Sequence, residues 1–513
     1  MPTQSSACLV GFRGTEAPTW VLEGIRSGAI PGVCLFNFNL TSLEQLRELT
    51  SSLRRAATDG GQPVPLIGID QEGGQLAAVA DATSLPGNMA LAAIGSVDYA
   101  YMSGQIIGLE LAALGCNLNF APVLDLASQG ESNVVGLRAF GDDPGLAAEL
   151  GAAQIRGMQE AGVIACAKHF PGHGNTATDS HLSCPIVERS MAELESLELP
   201  PFRRAVEAGV GALMAAHVSY PSLGQGPATF ATGVLRLLLR DRLGFSGLAI
   251  TDALDMHALD DVPEGERAAK ALAAGADLAL LGHLPNQERI VEALTRADLP
   301  EARARLASVR AALSTEVPTL ADVDWDEHAR VAAEMARAAV TLVASPSWRP
   351  KPLVSGERIV VISVSAGNLT PAETAGGASQ IAEQVAVRCP VTEAVDISYA
   401  PSAQQIERAV AAAAGADRVV FASVNAATDP RQQELFRRLL AAGHRPLVVA
   451  QRNPLDAEVL AGAEAVACSF GRNTSQTDAA IAVLFGELVA SGRMPVALKP
   501  SGRALGAERA SVA

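Results

Sequence analysis

The 513-residue sequence lacks several features that define common classes of protein. It contains no block of consecutive lysine and arginine residues, and its formal net charge is −16. Because nucleic acids and anionic membranes are bound by concentrated basic surfaces, we expect neither as a partner. The sequence also has no run of about 20 apolar residues, the length that crosses a bilayer. These absences favour a protein that works in aqueous solution.

Cysteine is scarce and scattered, with seven residues and no C-x-x-C spacing. Several lie in apolar runs, such as Cys8 in ACLVGF and Cys166 in VIACAKHF, which indicates buried, reduced thiols. The N-terminal sequence MPTQSSACLVGF has neither the basic region nor the long apolar stretch of a secretory signal. Together these features favour a cytoplasmic location.

Short apolar runs alternate with longer amphipathic stretches over the first 282 residues. Each is nearly continuous rather than alternating, as in parallel strands that are buried on both faces. Helical patterns such as 146–162 and 231–244 separate the runs. Eight such strand–helix units in roughly 280 residues match a (β/α)₈ barrel, an α/β fold. The eight runs are 7–12, 32–38, 65–70, 117–126, 163–170, 212–218, 247–253 and 276–282.

A second domain is expected, since the chain exceeds the size over which one hydrophobic core grows. A long helix is predicted over 326–345, and the Pro-containing stretch SPSWRPKP (345–352) marks the boundary. We therefore predict a catalytic barrel over 1–345 and a smaller open α/β sandwich over 346–513. No G-x-G-x-x-G follows the first strand of the second domain, so we expect no dinucleotide. The strands predicted there are 358–365, 418–425, 445–453 and 465–470.

Polar residues gather at the C-terminal ends of the barrel runs, the face that carries the active site in this architecture. This placement predicts an enzyme. Asp125 has an alternative role, because a carboxylate at a strand end often caps the following turn. The residues are Asp70, Asp125, Lys168, His169, His217 and Asp252.

The densest polar segment is KHFPGHGNTATDSH (168–181), whose glycines and proline predict a structured loop. With this segment, the sequence resembles the N-acetyl-β-glucosaminidase branch of glycoside hydrolase family 3. The resemblance runs from about residue 7 to residue 500. It also rests on DQEGG (70–74), NFAPVLDL (119–126), GLRAFGDDP (136–144), LMAAHVSYP (213–221), TDALDM (251–256) and FGELVASGRMPV (485–496).

The resemblance implies a retaining, exo-acting β-N-acetylglucosaminidase that needs neither cofactor nor metal. It implies that Asp252 is the nucleophile and that Asp179 and His181 form the acid/base dyad. Retaining hydrolysis needs such a carboxylate and a group that gives and takes a proton, and an oriented histidine can do the latter near neutral pH. The implied substrate is a small carbohydrate, with cell-wall-derived muropeptides as its natural source. The resemblance implies that Asp70, Arg138, Lys168 and His169 contact sugar hydroxyls.

Several of these residues have structural alternatives. For Asp252 the alternative is a cap on the next helix, and for Asp179 it is a turn residue. Arg138 has Asp142 and Asp143 nearby as surface partners. His217 either lines the sugar subsite or is a hydrogen-bonded core histidine.

Two positions depart from the family pattern. Gln75 follows DQEGG where an arginine is common, which removes a bidentate donor, and Asn175 replaces an aspartate near the dyad. Three competing functions remain. They are a phosphorylase of the same family, a metal-dependent barrel hydrolase and a catalytically inactive binding module. The metal site is disfavoured because the first strand, ACLVGF, offers no ligand.

Overall fold

The structure, a computed structural model, describes residues 4–127, 135–173, 176, 183–369 and 379–498. Eight parallel strands form one sheet in the order β10-β1-β2-β3-β6-β7-β8-β9. A parallel bridge between Ile250 and Leu278 joins β9 to β10 and closes the sheet. The predicted (β/α)₈ barrel is therefore confirmed. The strands of this domain are β1 (Cys8–Val10), β2 (Gly32–Cys34), β3 (Leu66–Ile69), β4 (Gln71–Gly73), β5 (Leu76–Ala77), β6 (Leu118–Asn119), β7 (Ile164–Phe170), β8 (Ala212–Ala215), β9 (Leu248–Thr251) and β10 (Ala279–Leu280), with β4 and β5 paired as an antiparallel hairpin.

The barrel strands are apolar throughout because both of their faces are covered. In β1, Leu9 packs inside the barrel with residues such as Phe120 and Met214. Its neighbours Cys8 and Val10 belong instead to the layer between strands and helices. Side chains of successive strand residues point to opposite faces, so two buried faces require a continuous apolar run.

Helices surround the barrel, and local capping fixes where several of them begin. The Ser42 hydroxyl accepts from the Gln45 amide at the start of α2, and Asp143 caps α5 directly before Pro144. The helices are α1 (Thr19–Ser27), α2 (Leu43–Asp59), α3 (Asn88–Ile94), α4 (Val97–Ala113), α5 (Pro144–Glu160), α6 (Met191–Ser196), α7 (Leu199–Glu207), α8 (Glu264–Ala274), α9 (Gln287–Thr295), α10 (Pro300–Ala311) and α11 (Trp325–Ala339), together with a π-helix over Gly233–Arg242.

The second domain is an open sheet in the order β11-β16-β15-β14-β12-β13, parallel except for β11 against β16. Helices pack on it, as predicted for a smaller α/β domain. Its strands are β11 (Thr341–Ala344), β12 (Ile359–Ser365), β13 (Glu393–Ser398), β14 (Arg418–Ser423), β15 (Leu447–Ala450) and β16 (Ala465–Cys468), and its helices are α12 (Ile381–Ala386), α13 (Ala403–Ala413), α14 (Pro430–Ala441), α15 (Asp456–Val459) and α16 (Thr474–Leu484).

Two strands of this sheet were not among the predicted ones. The helix predicted over 326–345 ends at Ala339, and Thr341–Ala344 is β11. The second sheet therefore takes its first strand from residues that precede the boundary predicted at 345. The other strand, β13, lies at the sheet edge and alternates exposed and buried residues, so it has no continuous apolar run.

The two domains share a buried apolar cluster next to the barrel mouth. Met89 and Ala93 of α3 pack in it with Phe470 and Met494 of the second domain. The Asn473 side chain also donates to the Ser84 carbonyl at 3.3 Å.

All seven cysteines lie among the described residues as free thiols. Within the described part of the chain, no helix is long and apolar enough to span a membrane.

Candidate active site

The polar residues predicted at the strand ends lie on one face of the barrel. Asp70 follows β3, Lys168 and His169 occupy the last part of β7, and Asp252 follows β9. The Asp252 amide donates to the carbonyl of Ala215, the last residue of β8, at 3.1 Å. The parallel sheet thus delivers these side chains to its C-terminal mouth, as the sequence predicted.

Two cations and two carboxylates form a buried network at this mouth. Lys168 Nζ lies 2.6 Å from Asp70 Oδ1 and 2.7 Å from Glu72 Oε1. Arg138 grips Glu72 bidentately, with Nε–Oε2 and Nη2–Oε1 distances of 2.9 and 2.8 Å. The Lys168 and Glu72 side chains are each 3% exposed. Because buried charges need partners, the network balances two positive against two negative groups.

Within the network, the neighbouring charges stabilise the ionised forms of Glu72 and Lys168. Burial alone would raise the pKa of Glu72, but the positive charges of Arg138 and Lys168 outweigh it and hold this pKa at about 2. Burial would lower the pKa of Lys168, yet Asp70 and Glu72 raise it above its ordinary value. At neutral pH, therefore, both groups are charged.

His169 is held by the carboxylate of Asp125. Asp125 Oδ2 lies 2.6 Å from His169 Nδ1, and Asp125 Oδ1 accepts from the backbone amides of His169 and His173 at 3.1 and 2.7 Å. Burial lowers the pKa of His169 well below its ordinary value. The ring is therefore neutral, its Nδ1–H points to Asp125, and its Nε2 is an acceptor.

Asp252 is the partly exposed carboxylate beside this histidine. Its Oδ2 lies 4.0 Å from His169 Nε2, and its side chain is 17% exposed. The Ala253 amide donates to Asp252 Oδ1 at 2.7 Å and so orients the carboxylate. An acceptor fixed in this way at the mouth of a barrel is suited to attack on a bound substrate.

His217 lies behind Asp252 and is fully buried. Its Nε2 is 2.9 Å from the Ala253 carbonyl, and its Nδ1 is 2.6 Å from the Thr229 hydroxyl. Since a carbonyl only accepts, Nε2 carries the hydrogen and donates it. This is the geometry of a hydrogen-bonded core histidine, the second of the two alternatives for this residue.

Asp179, His181 and Asn175 lie outside the described residues. The described residues that precede them in the sequence, Gly172 and His173, are each held by a hydrogen bond. Asp125 holds the His173 amide, and the Tyr220 hydroxyl donates to the Gly172 carbonyl.

Glu72 is the residue of the network that sequence reasoning missed. Glu72 belongs to the motif DQEGG, but the family resemblance implied a role for Asp70 of that motif and none for Glu72. Arg138 pairs with Glu72, whereas Asp143 caps α5 and Asp142 accepts from the Ala497 amide at 2.7 Å. The sequence analysis placed two cations, Lys168 and Arg138, beside one carboxylate, Asp70. Because buried charges need partners, this unbalanced positive charge could have pointed to Glu72.

The described residues contain no group of three or more His, Cys, Asp or Glu side chains that could hold a metal ion. The carboxylates of the site bond to Lys168, Arg138, His169 and backbone amides, and His217 bonds to the Thr229 hydroxyl and the Ala253 carbonyl. What the described arrangement offers is an oriented carboxylate beside a buried set of donors and acceptors. Such a set suits a ligand that is rich in hydroxyl groups.

Comparison with known proteins gives the family. Residues 17–312 match the glycosyl hydrolase family 3 N-terminal domain. The chain is similar to the structure of a family 3 β-N-acetylglucosaminidase from a Paenibacillus species, at 31% identity and a TM-score of 0.88 over 96% of this chain and 98% of that one. The β-hexosaminidase of Thioalkalivibrio sulfidiphilus is 38% identical over 63% of this chain and 93% of its own length. β-Hexosaminidase A of Pseudoalteromonas piscicida is 34% identical over 66% of this chain and 63% of its own length. The chain therefore belongs to glycoside hydrolase family 3, and the enzyme predicted from its strand ends is a glycoside hydrolase.

Proposed function

We propose that the protein is a retaining, exo-acting β-N-acetylglucosaminidase that removes terminal β-linked N-acetylglucosamine. The observation that carries the proposal is the mouth in which the oriented carboxylate of Asp252 lies beside the neutral ring of His169. The similarity to the Paenibacillus β-N-acetylglucosaminidase over nearly the whole of both chains supports the choice of sugar.

In this proposal Asp252 attacks the anomeric carbon and forms a covalent glycosyl-enzyme intermediate. The bond from Ala253 N–H holds one carboxylate oxygen and thereby aims the other. His217 is a positioning residue, because its bond to the Ala253 carbonyl fixes the peptide that follows the nucleophile. It does not contact the sugar.

The acid/base role belongs to His181, with Asp179 orienting its ring. The family resemblance supports this part of the proposal. His181 protonates the departing oxygen and then takes a proton from the attacking water. The carboxylate and the water each displace with inversion at the anomeric carbon, so the configuration is retained overall.

The sugar hydroxyls meet the buried network. Asp70 is 30% exposed and accepts from hydroxyl groups. The Lys168 ammonium has three N–H donors. Two of them face Asp70 and Glu72, and the third is directed to the sugar. Arg138 lies behind Glu72 and completes the donor set, while His169 Nε2 accepts from a hydroxyl.

The second domain contributes no catalytic group in this proposal. Its contacts with α3 and the Ser84 carbonyl support the barrel mouth from the side. The natural substrates that we propose are muropeptides derived from the cell wall, hydrolysed in the cytoplasm.

The test is hydrolysis of N,N′-diacetylchitobiose with and without phosphate, followed by NMR of the first product formed. We expect β-N-acetylglucosamine as that product, at a rate that does not depend on phosphate. A fluorinated glycoside that slows breakdown of the intermediate should label Asp252. Asp252→Asn, which keeps the shape but not the nucleophile, should lower kcat by several orders of magnitude without lowering Tm.

Three results would each contradict part of this proposal. Sugar 1-phosphate formed only when phosphate is present would identify a phosphorylase. The α-anomer as first product would exclude retention. A label on another carboxylate would remove Asp252 from the role of nucleophile.

A further inference from the structure

Three aromatic rings form a compact cluster at the catalytic mouth, beside the network that we assign to the reacting sugar. Phe36 and Phe38 follow β2, and His283 follows β10. Their ring centroids lie 4.4 to 5.3 Å apart. Arg13, which follows β1, places its guanidinium carbon 5.4 Å from the centre of the Phe38 ring. We call these four side chains the ring platform.

The platform is held rigidly from below. The Asn39 side chain accepts from the Phe36 amide at 2.9 Å and donates to the carbonyls of Phe12 and Gly14 at 3.0 and 2.7 Å. It thus ties the loop that carries the phenylalanines to the loop that carries Arg13. Such bonds fix the rings before any ligand arrives, which lowers the entropic cost of binding.

His283 is fixed from the nucleophile's side of the barrel. Asp255 Oδ2 lies 2.9 Å from the His283 amide and 3.0 Å from its Nδ1. The turn depends on Gly282, whose φ of +57° and lack of a Cβ let Asp255 approach, since a Cβ there would lie 2.2 Å from Asp255 Oδ1. Asp255 is three residues from Asp252, so the platform and the nucleophile share one loop.

The platform remains open to solvent. Phe38 is 37% exposed, and the His283 side chain is 32% exposed. The exposed large hydrophobic residues of the described chain include one aromatic residue, Phe38. The neighbouring Asn37 and Arg13 are exposed as well, so polar donors border the rings. Aromatic rings rimmed with donors at a concave mouth are typical of ligand subsites.

We propose that the ring platform is the subsite for the aglycone, a pyranose ring attached through the bond that is cleaved. This inference rests on the proposed function. The anomeric carbon lies at Asp252, so the next sugar must leave the buried network and lie over the rim nearby. A β-linked pyranose presents a face of C–H groups that packs on aromatic rings, and its hydroxyls meet Arg13 and Asn37. Phe38 is the principal contact because it is the most exposed ring.

The test compares two substrates that share the reacting sugar and differ in the leaving group. N,N′-Diacetylchitobiose carries a pyranose aglycone, whereas N-acetyl-β-glucosaminyl fluoride carries none. Phe38→Ala should lower kcat/KM about tenfold on the disaccharide and leave kcat/KM on the fluoride within twofold of the parent. Phe38→Tyr, which keeps the ring, should retain the parent value on both. Leu237→Ala removes another exposed apolar side chain, 62% exposed and on the π-helix, and should change neither.

Two results would overturn the inference. Equal losses on both substrates would mean that Phe38 supports the reacting sugar or the fold, and Tm of the variant would separate these causes. No loss on the disaccharide would mean that no aglycone rests on the platform. Failure of the proposed function is a distinct result, because it would be seen with the parent enzyme itself, as no turnover of either substrate, a sugar 1-phosphate or the α-anomer.

Discussion

Replacing Glu72 with glutamine tests the charge balance beneath the proposed sugar site. The change keeps the shape of the side chain but removes the carboxylate that bridges Lys168 and Arg138. Of the network's two carboxylates, Asp70, which is bonded to Lys168, is then left with the two buried cations. We expect Glu72→Gln to unfold at a lower temperature and to bind substrate poorly.

The size of the effect follows from two estimates. The difference between the ordinary pKa of 4.5 and the folded-state pKa of about 2 for Glu72 corresponds to about 3 kcal/mol of unfolding free energy at about 1.36 kcal/mol per pKa unit. Loss of one partner of a buried ion pair costs about 3–5 kcal/mol. Because the folded pKa is lowered, this stabilisation is complete above pH 4.5 and is lost as the pH falls towards 2.

Thermal unfolding at pH 7 is the assay, and a drop in Tm of roughly 5–10 °C is expected. The sharper comparison is the double variant Glu72→Gln/Lys168→Met, in which one cation leaves with the carboxylate. It should recover part of the lost Tm while remaining inactive, because Arg138 and Asp70 then balance. If Glu72→Gln unfolds like the parent, or if removing Lys168 as well lowers Tm further, the charge-balance reasoning is wrong.

Two other predictions concern the histidines. Asp125→Asn removes the acceptor for His169 Nδ1–H, so the ring proton moves to Nε2 and points at Asp252. The kcat/KM of this variant should fall at least ~10²-fold. Activity within twofold of the parent would refute the assigned tautomer. His181→Ala should lose ~10²–10⁴-fold on a disaccharide and clearly less on an activated aryl glycoside, and Asp179→Asn should follow the same pattern.

The barrel could be predicted because its strands carry an unambiguous local signal. Each has two buried faces, so the signal is a continuous apolar run that needs no knowledge of its partners. The strands β11 and β13 lie at the edges of the second sheet. An edge strand need not be buried on both faces, so its sequence need not be continuously apolar. Four residues, TLVA, also continue the helical pattern of α11 in the sequence, and only pairing with β16 makes them a strand.

The site could be predicted as a set of residues but not as a set of bonds. Strand ends of a parallel barrel must meet, which was enough to group Asp70, Lys168, His169 and Asp252. Arg138 illustrates the limit, because its partner Glu72 is 66 residues away while two aspartates lie within five. Sequence distance favours the near partners, whereas burial of the guanidinium requires a buried carboxylate.

His169 and His217 have separate roles because their hydrogen bonds determine which ring nitrogen carries the hydrogen. His169 stays neutral at neutral pH since burial lowers its pKa, and its one N–H is committed to Asp125. His217 donates from Nε2 to a backbone carbonyl. A general acid must hold a proton that it can transfer to the departing oxygen, whereas the N–H described in each of these two rings is already bonded to a fixed acceptor. In the proposed mechanism their task is therefore orientation: His169 faces the sugar and the nucleophile as a neutral acceptor, and His217 holds the peptide after Asp252. This division supports the proposal that the proton donor comes from the residues that follow His173 in the sequence rather than from a strand end.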